Sequence, residues 1–145
     1  MQLKSRLKPK IVAIFAHPDD ESFGPGGTLY KLSKDHNVYI ICATRGEAGG
    51  THKKIAQIRT HELSKCAKIL GVEEVFFLEF KDGTLSNSLY HSIAEKIEEK
   101  LQEIRPQTVI TFEPRGVSGH IDHIVISLVT SYVFRKLKFI KKLMY

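Results

Sequence analysis

Apolar residues gather in four short runs along the chain: IVAIFA at 11–16, VYIICA at 38–43, VFFLEF at 75–80 and TVITF at 108–112. Most of these runs are continuously apolar rather than alternating. That pattern suits strands covered on both faces, as in a parallel sheet. Between them the apolar positions switch to helical spacing. Leu29 and Leu32 mark a first short helix. Ile55, Ile58, Cys66, Ala67 and Leu70 mark a second, closed by Gly71. Tyr90, Ile93, Ile97, Leu101 and Ile104 mark a third, stopped by Pro106. Ile121, Ile124, Val125, Leu128, Val129, Tyr132 and Val133 mark a fourth, and KKLMY at 141–145 reads as the start of a fifth strand. Strand and helix alternate four times. This order predicts an α/β fold, a Rossmann-like three-layer sandwich with a mostly parallel sheet and right-handed crossovers. Neither a repeat nor a linker interrupts the 145 residues, which are read as one domain, 1–145.

In open α/β sheets ligands bind beyond the carboxyl ends of the strands. The polar segments that follow the four runs are therefore the places to look for chemistry. They are HPDDE after the first, TRGEAGG (44–50) after the second, KDG (81–83) after the third and EPRGVSGHIDH (113–123) after the fourth. Three adjacent acids, Asp19, Asp20 and Glu21, repel one another unless something positive sits beside them. His17 and Asp20 stand three apart in the first of these loops, and His120 and His123 stand three apart where the fourth helix begins. Residues at that spacing share a helical face. Two histidines and a carboxylate from the two loops make a tripod for a divalent metal, and zinc accepts that donor set with a position left open for water. A water so held has a pKa of about 7. Asp19, next to a ligand, could then take the water's proton, and the histidine left over could stabilise an oxyanion.

Composition changes this picture little. The hydrophobic fraction is 42% and the charged fraction 26%, ordinary globular values. The net charge of +6 is concentrated at the two ends, in Lys4, Arg6, Lys8 and Lys10 and in Arg135, Lys136, Lys138, Lys141 and Lys142. It reads as a solvated basic fringe compatible with anionic small molecules. Basic residues confined to the ends, without interleaved aromatics, argue against nucleic acid. Cys42 and Cys66 form no disulfide framework or C-x-x-C metal spacing and fit a reducing compartment. The first apolar run is too short for a signal peptide, and no run reaches the roughly 20 apolar residues of a membrane span. A soluble, cytoplasmic protein is expected. FGPGG lacks both the dinucleotide and the phosphate-loop spacings, and reads as a turn feeding a helix with Gly26 and Gly27 in close backbone contact.

AHPDDE, T-R-G-E, the R-x-x-E from Arg59 to Glu62, LGV at 70–72, DG at 82–83 and GHIDH, in this order, resemble the PIG-L/LmbE family of zinc-dependent N-acetylglucosamine deacetylases. The resemblance runs from about residue 10 to the chain end. It implies His17, Asp20 and His123 as metal ligands, Asp19 as general base and then acid, His120 as oxyanion stabiliser, and Asp122 as the residue that orients its neighbours. It also implies substrate contacts for Glu47 and Arg59 and, by a weaker match, Asp82. For Arg59 the plainer reading is a surface helix residue, and for Asp82 a turn-former before Gly83. Glu21 is expected to support the loop, and His36, His52, His61 and His91 to be surface residues.

Relatives of this kind continue beyond position 145, so the C-terminal part of the family fold is expected to be missing, with an exposed sheet edge able to self-associate. The leading expectation is a zinc-dependent hydrolase removing acetyl from an N-acetylglucosaminyl conjugate, with ferrous iron able to use the same ligands. The alternatives are a truncated, non-catalytic metal-binding α/β module, and a metal-dependent amidase for another acyl amine.

Overall fold

The computed structural model describes residues 7–145. The basic residues Lys4 and Arg6 lie outside the described residues. Five strands, β1 (Lys10–Phe15), β2 (Asn37–Thr44), β3 (Val72–Phe80), β4 (Thr108–Ile110) and β5 (Lys142–Met144), form one sheet in the order β3-β2-β1-β4-β5. Every pairing is parallel. The helices are α1 (Asp20–Phe23), α2 (Gly26–Leu32), α3 (Ile55–Leu70), α4 (Tyr90–Ile104), α5 (Gly116–Gly119) and α6 (Ile121–Lys136). Helix α2 packs on α3, and α4 on α6, in the layers that cover the two faces of the sheet. This is the three-layer α/β architecture expected from the alternation of periods.

The apolar runs behave as their composition dictates where the sheet is central. In β1, Val12, Ala13 and Ile14 are fully buried, and Ile40, Ile41 and Cys42 of β2 join them in one continuous core with Ile93, Ile97 and Leu101 of α4 and Ile126, Val129 and Val133 of α6. The third run departs from the both-faces-buried expectation. Strand β3 is an edge strand, and it starts earlier, at Val72, with Glu73 and Glu74 exposed. Its aromatic side chains are covered instead by the stems and charges of long basic residues: Arg45 lies over Phe77, Lys100 over Phe76 and Lys96 over Phe80. Between the pairs Cys42–Phe77 and Thr44–Phe80, β3 carries one residue more than β2. Glu79 takes up the bulge at φ 61 and is held by a two-bonded fork from Arg45.

Helix ends follow local chemistry. Gly71 closes α3 at φ 73, and α4 ends two residues before Pro106, with Arg105 between them at φ 57. Gly26 does lie against the Glu21 carbonyl, 3.3 Å from where a Cβ would stand, whereas Gly27 faces open space on the outer side of α2. No helix among the described residues is long and apolar enough to cross a membrane.

Because Ile14 is fully buried in the central strand and Ile69 is 74% exposed on α3, truncation should separate them sharply. Ile14→Ala is expected to lose about 2–5 kcal/mol in chemical denaturation, and Ile69→Ala to stay within about 0.5 kcal/mol of the parent.

Candidate metal centre

The strand order reverses at β1 and β4, so the crevice beyond their carboxyl ends is the switch point of the sheet. The two loops that flank it carry HPDDE and GHIDH. His17, just past β1, is buried. Its Nδ1 lies 3.2 Å from His123 Nε2 and 3.6 Å from Asp20 Oδ2, and Asp20 Oδ1 is 3.3 Å from His123 Nε2. Each outer ring nitrogen already has an oxygen partner. His17 Nε2 faces Asp82 Oδ1 at 2.9 Å and Asp122 Oδ2 at 3.1 Å, and His123 Nδ1 donates to the Gly116 carbonyl at 3.1 Å. With those hydrogens placed outward, both inner nitrogens present lone pairs to the same point. Two facing lone pairs beside a carboxylate repel one another, and a divalent cation converts that repulsion into coordination. The donor set fits zinc, and the outward partners are the carboxylates and carbonyl that orient metal-bound imidazoles.

A second trio, His17, His120 and Asp122, also lies within reach of a single point. It is the poorer candidate because its acceptors are already used. Asp122 is 1% exposed, its Oδ1 accepts the Leu85 N–H and its Oδ2 the Gly83 N–H, while His120 Nδ1 accepts the Asp122 N–H. The ring of His123 is fixed on both sides. Phe112 stacks on it with centroids 4.1 Å apart and planes 4° from parallel, and His120 stacks on it at 4.8 Å.

Backbone conformation contributes directly. Gly116, at φ 70, turns its carbonyl toward His123, and a Cβ there would stand 3.0 Å from the Ile124 nitrogen. Asp19 holds φ 108, a region that costs a non-glycine residue about 1–3 kcal/mol, and its side chain is 65% exposed at the mouth of the site. Arg59, read from the sequence as a surface residue or a substrate contact, points inward. It donates to the Pro18 and Gly46 carbonyls and, at 2.7 Å, to Asp19 Oδ2. Gly46 and Gly49 give it room, since a Cβ at either position would collide with the guanidinium. Glu21 is 2% exposed, and its Oε2 accepts the Asp19 N–H at 2.9 Å.

Asp82 is also buried. One oxygen meets His17 and the other accepts the Ala48 N–H at 2.9 Å, so both are engaged within the protein. Glu47 Oε1 accepts the Asp82 N–H at 2.9 Å, whereas its Oε2 is buried and accepts nothing among the described residues. His52, His61 and His91 are exposed, and His36 is half-buried against the Leu32 carbonyl. The parts played by the Gly116 and Pro18 carbonyls and by the Gly83 and Leu85 amides are not legible from residue types, because a backbone group leaves no residue-type signature.

The electrostatics point the same way as the geometry. Burial opposes charging of the His123 imidazole, yet the hydrogen bond and charge of Asp20, the Gly116 carbonyl and Asp122 outweigh it, and its pKa lies above the usual value. Burial raises the Asp19 carboxyl above the usual carboxylate value; Arg59 opposes the rise and Asp20 adds to it. The surroundings of His123 thus favour its charged form. Beside the trio a cleft of about 730 Å³ runs past Asp19, Asp20 and His123 along Phe15, Ile110 and Phe112.

Comparison with known proteins gives the family. Residues 12–134 match the family PIG-L, described as GlcNAc-PI de-N-acetylase. The chain is 35% identical over 128 residues to a probable N-acetyl-alpha-D-glucosaminyl L-malate deacetylase 2 from Bacillus cereus, covering 81% of this chain and 57% of the relative. It is 32% identical over 150 residues to a 1D-myo-inositol 2-acetamido-2-deoxy-alpha-D-glucopyranoside deacetylase from Kineococcus radiotolerans, covering 79% and 42%. An N,N'-diacetylchitobiose deacetylase from Pyrococcus horikoshii superposes with a TM-score of 0.81 at 28% identity, covering 92% of this chain and 53% of that one. The chain thus spans about half the length of the curated relatives it matches. From its fold, its paired loop motifs and these matches, the chain belongs to the PIG-L family.

Proposed function

We propose that the chain carries the metal-holding and proton-transferring centre of a hydrolase that removes acetyl from N-acetylglucosamine-type conjugates. The observation that carries this reading is the pair of inner nitrogens, His17 Nδ1 and His123 Nε2, 3.2 Å apart beside Asp20 with their outer nitrogens already engaged. His17, Asp20 and His123 would hold the ion, with zinc the better match to the donors and ferrous iron able to use them. When bound, such an ion supplies Lewis-acid polarisation of an amide carbonyl and a water activated near neutral pH.

The remaining steps belong to the chain's own groups. Asp19, at the mouth of the cleft, takes a proton from the attacking water and returns it to the departing amine. His120 Nδ1 accepts the Asp122 amide, which leaves Nε2–H of the neutral ring free to donate to an oxyanion. Asp122 and Asp82 orient His17 through Nε2. For Asp82 this orienting part has more support than a sugar contact, because neither of its oxygens is free. Glu47 Oε2 lacks a donor, and a sugar hydroxyl would supply one. The names of the relatives, an inositol-linked and a malate-linked N-acetylglucosamine deacetylase, support an amino-sugar substrate. Free thiols at Cys42 and Cys66 support a reducing, cytoplasmic setting. The outer edge of β5 supports self-association by strand pairing, and a strictly monomeric sedimentation profile at high concentration would count against it.

Calorimetric titration of the metal-stripped chain should show one zinc per chain, lost in His123→Ala. No binding by the parent would remove the metal centre. Zinc binding without acetate release from N-acetylglucosamine conjugates would instead assign a metal-holding module or an amidase for another acyl amine, which a panel of acyl amines separates.

Asp19→Ala should keep its zinc and lower turnover by about 10²–10⁴-fold. Near-parental turnover would take Asp19 out of the proton transfer.

Asp82→Asn should weaken zinc by about 10–100-fold without changing its stoichiometry. An unchanged affinity would return Asp82 to the substrate side.

A further inference from the structure

We propose that Glu21 and Arg59 are positioning residues for Asp19, holding it from two sides in the backbone conformation that aims its carboxylate at the mouth of the site. The structural part stands on its own; the consequence for turnover rests on the deacetylase reading above.

Asp19 adopts φ 108 and ψ −27 at the start of a four-residue helix, and no glycine relieves it. All three of its polar faces are tied down. Its N–H donates to Glu21 Oε2 at 2.9 Å. Its carbonyl accepts from the Ser22 and Phe23 amides, each at 3.0 Å. Its carboxylate accepts from Arg59 Nη2 at 2.7 Å, and the same guanidinium grips the carbonyls of Pro18 and, through Nη1, Gly46. The contacts come from both ends of the unusual torsion. Glu21 fixes the direction of the N–H, and Arg59 fixes the direction of the side chain. A rotation about N–Cα toward negative φ would break one or the other.

Glu21 is the less obvious member. A carboxylate only 2% exposed in so short a helix is rare without a structural partner. Its partner here is the amide of the residue whose conformation is strained. Glu21 lies neither in the lining of the cleft nor in the trio of ligands; the Cys66 thiol approaches it from α3, and the Asp19 amide is its contact on the side of the site. Arg59 joins the same residue to the loop after β2, through Gly46. The clamp therefore locks the loop after β1 to that after β2.

The test compares Glu21→Ala, which removes the acceptor, with Glu21→Gln, which keeps an amide oxygen in its place, both loaded with zinc. In the crystal structure of Glu21→Ala, Asp19 should leave the positive-φ region, and in Glu21→Gln it should stay. Zinc affinity should match the parent in both. On an N-acetylglucosamine conjugate, kcat should fall by about 100-fold in Glu21→Ala with KM unchanged, and Glu21→Gln should recover most of it. The double variant Asp19→Ala/Glu21→Ala should be no slower than Asp19→Ala alone, because Glu21 acts through Asp19. Asp19 remaining near φ 108 in Glu21→Ala overturns the proposal, as does a double variant slower than Asp19→Ala. If Glu21→Ala does not fold, Arg59→Lys carries the structural test, since it keeps the charge and loses the fork. A parent chain that releases no acetate defeats the deacetylase reading, and the torsion of Asp19 in the variants still decides this one.

Discussion

The pairing of β1 with β4 is the constraint on which the site depends. Ile11, Val12 and Ala13 lie beside Thr108, Val109 and Ile110 in parallel register. Two loops separated by most of the chain therefore leave the sheet side by side, and His17 meets His123 across a sequence separation of 106 residues. The pairing is secured by more than the ladder. Thr111 Oγ1 donates to the Ile14 carbonyl, and Phe15 packs edge-on against Phe112, which also stacks on the His123 ring. Core packing thus runs without a break into the orientation of the His123 ring, the ligand proposed above. The crossovers on either side of β1 and β4 carry the chain to opposite faces, which leaves the crevice between the loops uncovered.

What gathers there is negative charge. Asp20 accepts the His17 amide, Asp82 the Ala48 amide, Asp122 the Gly83 and Leu85 amides, and Glu21 the Asp19 amide. These backbone donors satisfy lone pairs and hold each carboxylate in place, but an amide dipole does not cancel a full charge. Arg59 offsets part of it at Asp19. The rest converges on two imidazoles whose outer nitrogens are spoken for. A site built in this way is oriented before any ion arrives, which is the arrangement that lets a metal bind without reorganising its ligands.

Much of this was legible in the order of residues. Continuous apolar runs placed β1, β2 and β4 because a strand covered on both faces tolerates little else. The beginning of β3 escaped, because an edge strand admits Glu73 and Glu74. The short helices α1 and α5 escaped because four residues do not establish a period. The paired histidine and carboxylate spacings after the first and fourth runs pointed to the loops that the structure brings together. Asp82 and Arg59 were legible as polar residues after a strand and on a helix, but not for what they touch. Asp82 meets His17 from two residues past the end of β3, after the bulge at Glu79. Arg59 reaches Pro18 only because Gly46 and Gly49 leave space for it. Contacts made by long side chains to backbone carbonyls depend on tertiary approach, and periodicity carries no record of them.

The unusual torsions show where the fold concentrates its strain. Among the described residues, the non-glycine positions at positive φ are Asp19, Glu79, Arg105 and Val117. Arg105 closes α4 at the opposite end of the sheet, where such a torsion is an ordinary helix ending. The other three lie at the carboxyl edge, in or beside the loops that build the site. Each is held by a polar contact of its own or of its immediate neighbours: Asp19 by Glu21 and Arg59, Glu79 by Arg45, and Val117 through its amide to Glu113. A chain relaxing toward its own local preferences would move all three. They persist because the buried strands beneath them leave the loops few ways to relax, and because each polar contact ties its loop to a neighbouring element or turn. At Asp19 the unusual torsion is matched by two fixed charges, Glu21 on its amide and Arg59 on its carboxylate, which tie it to the neighbouring loops.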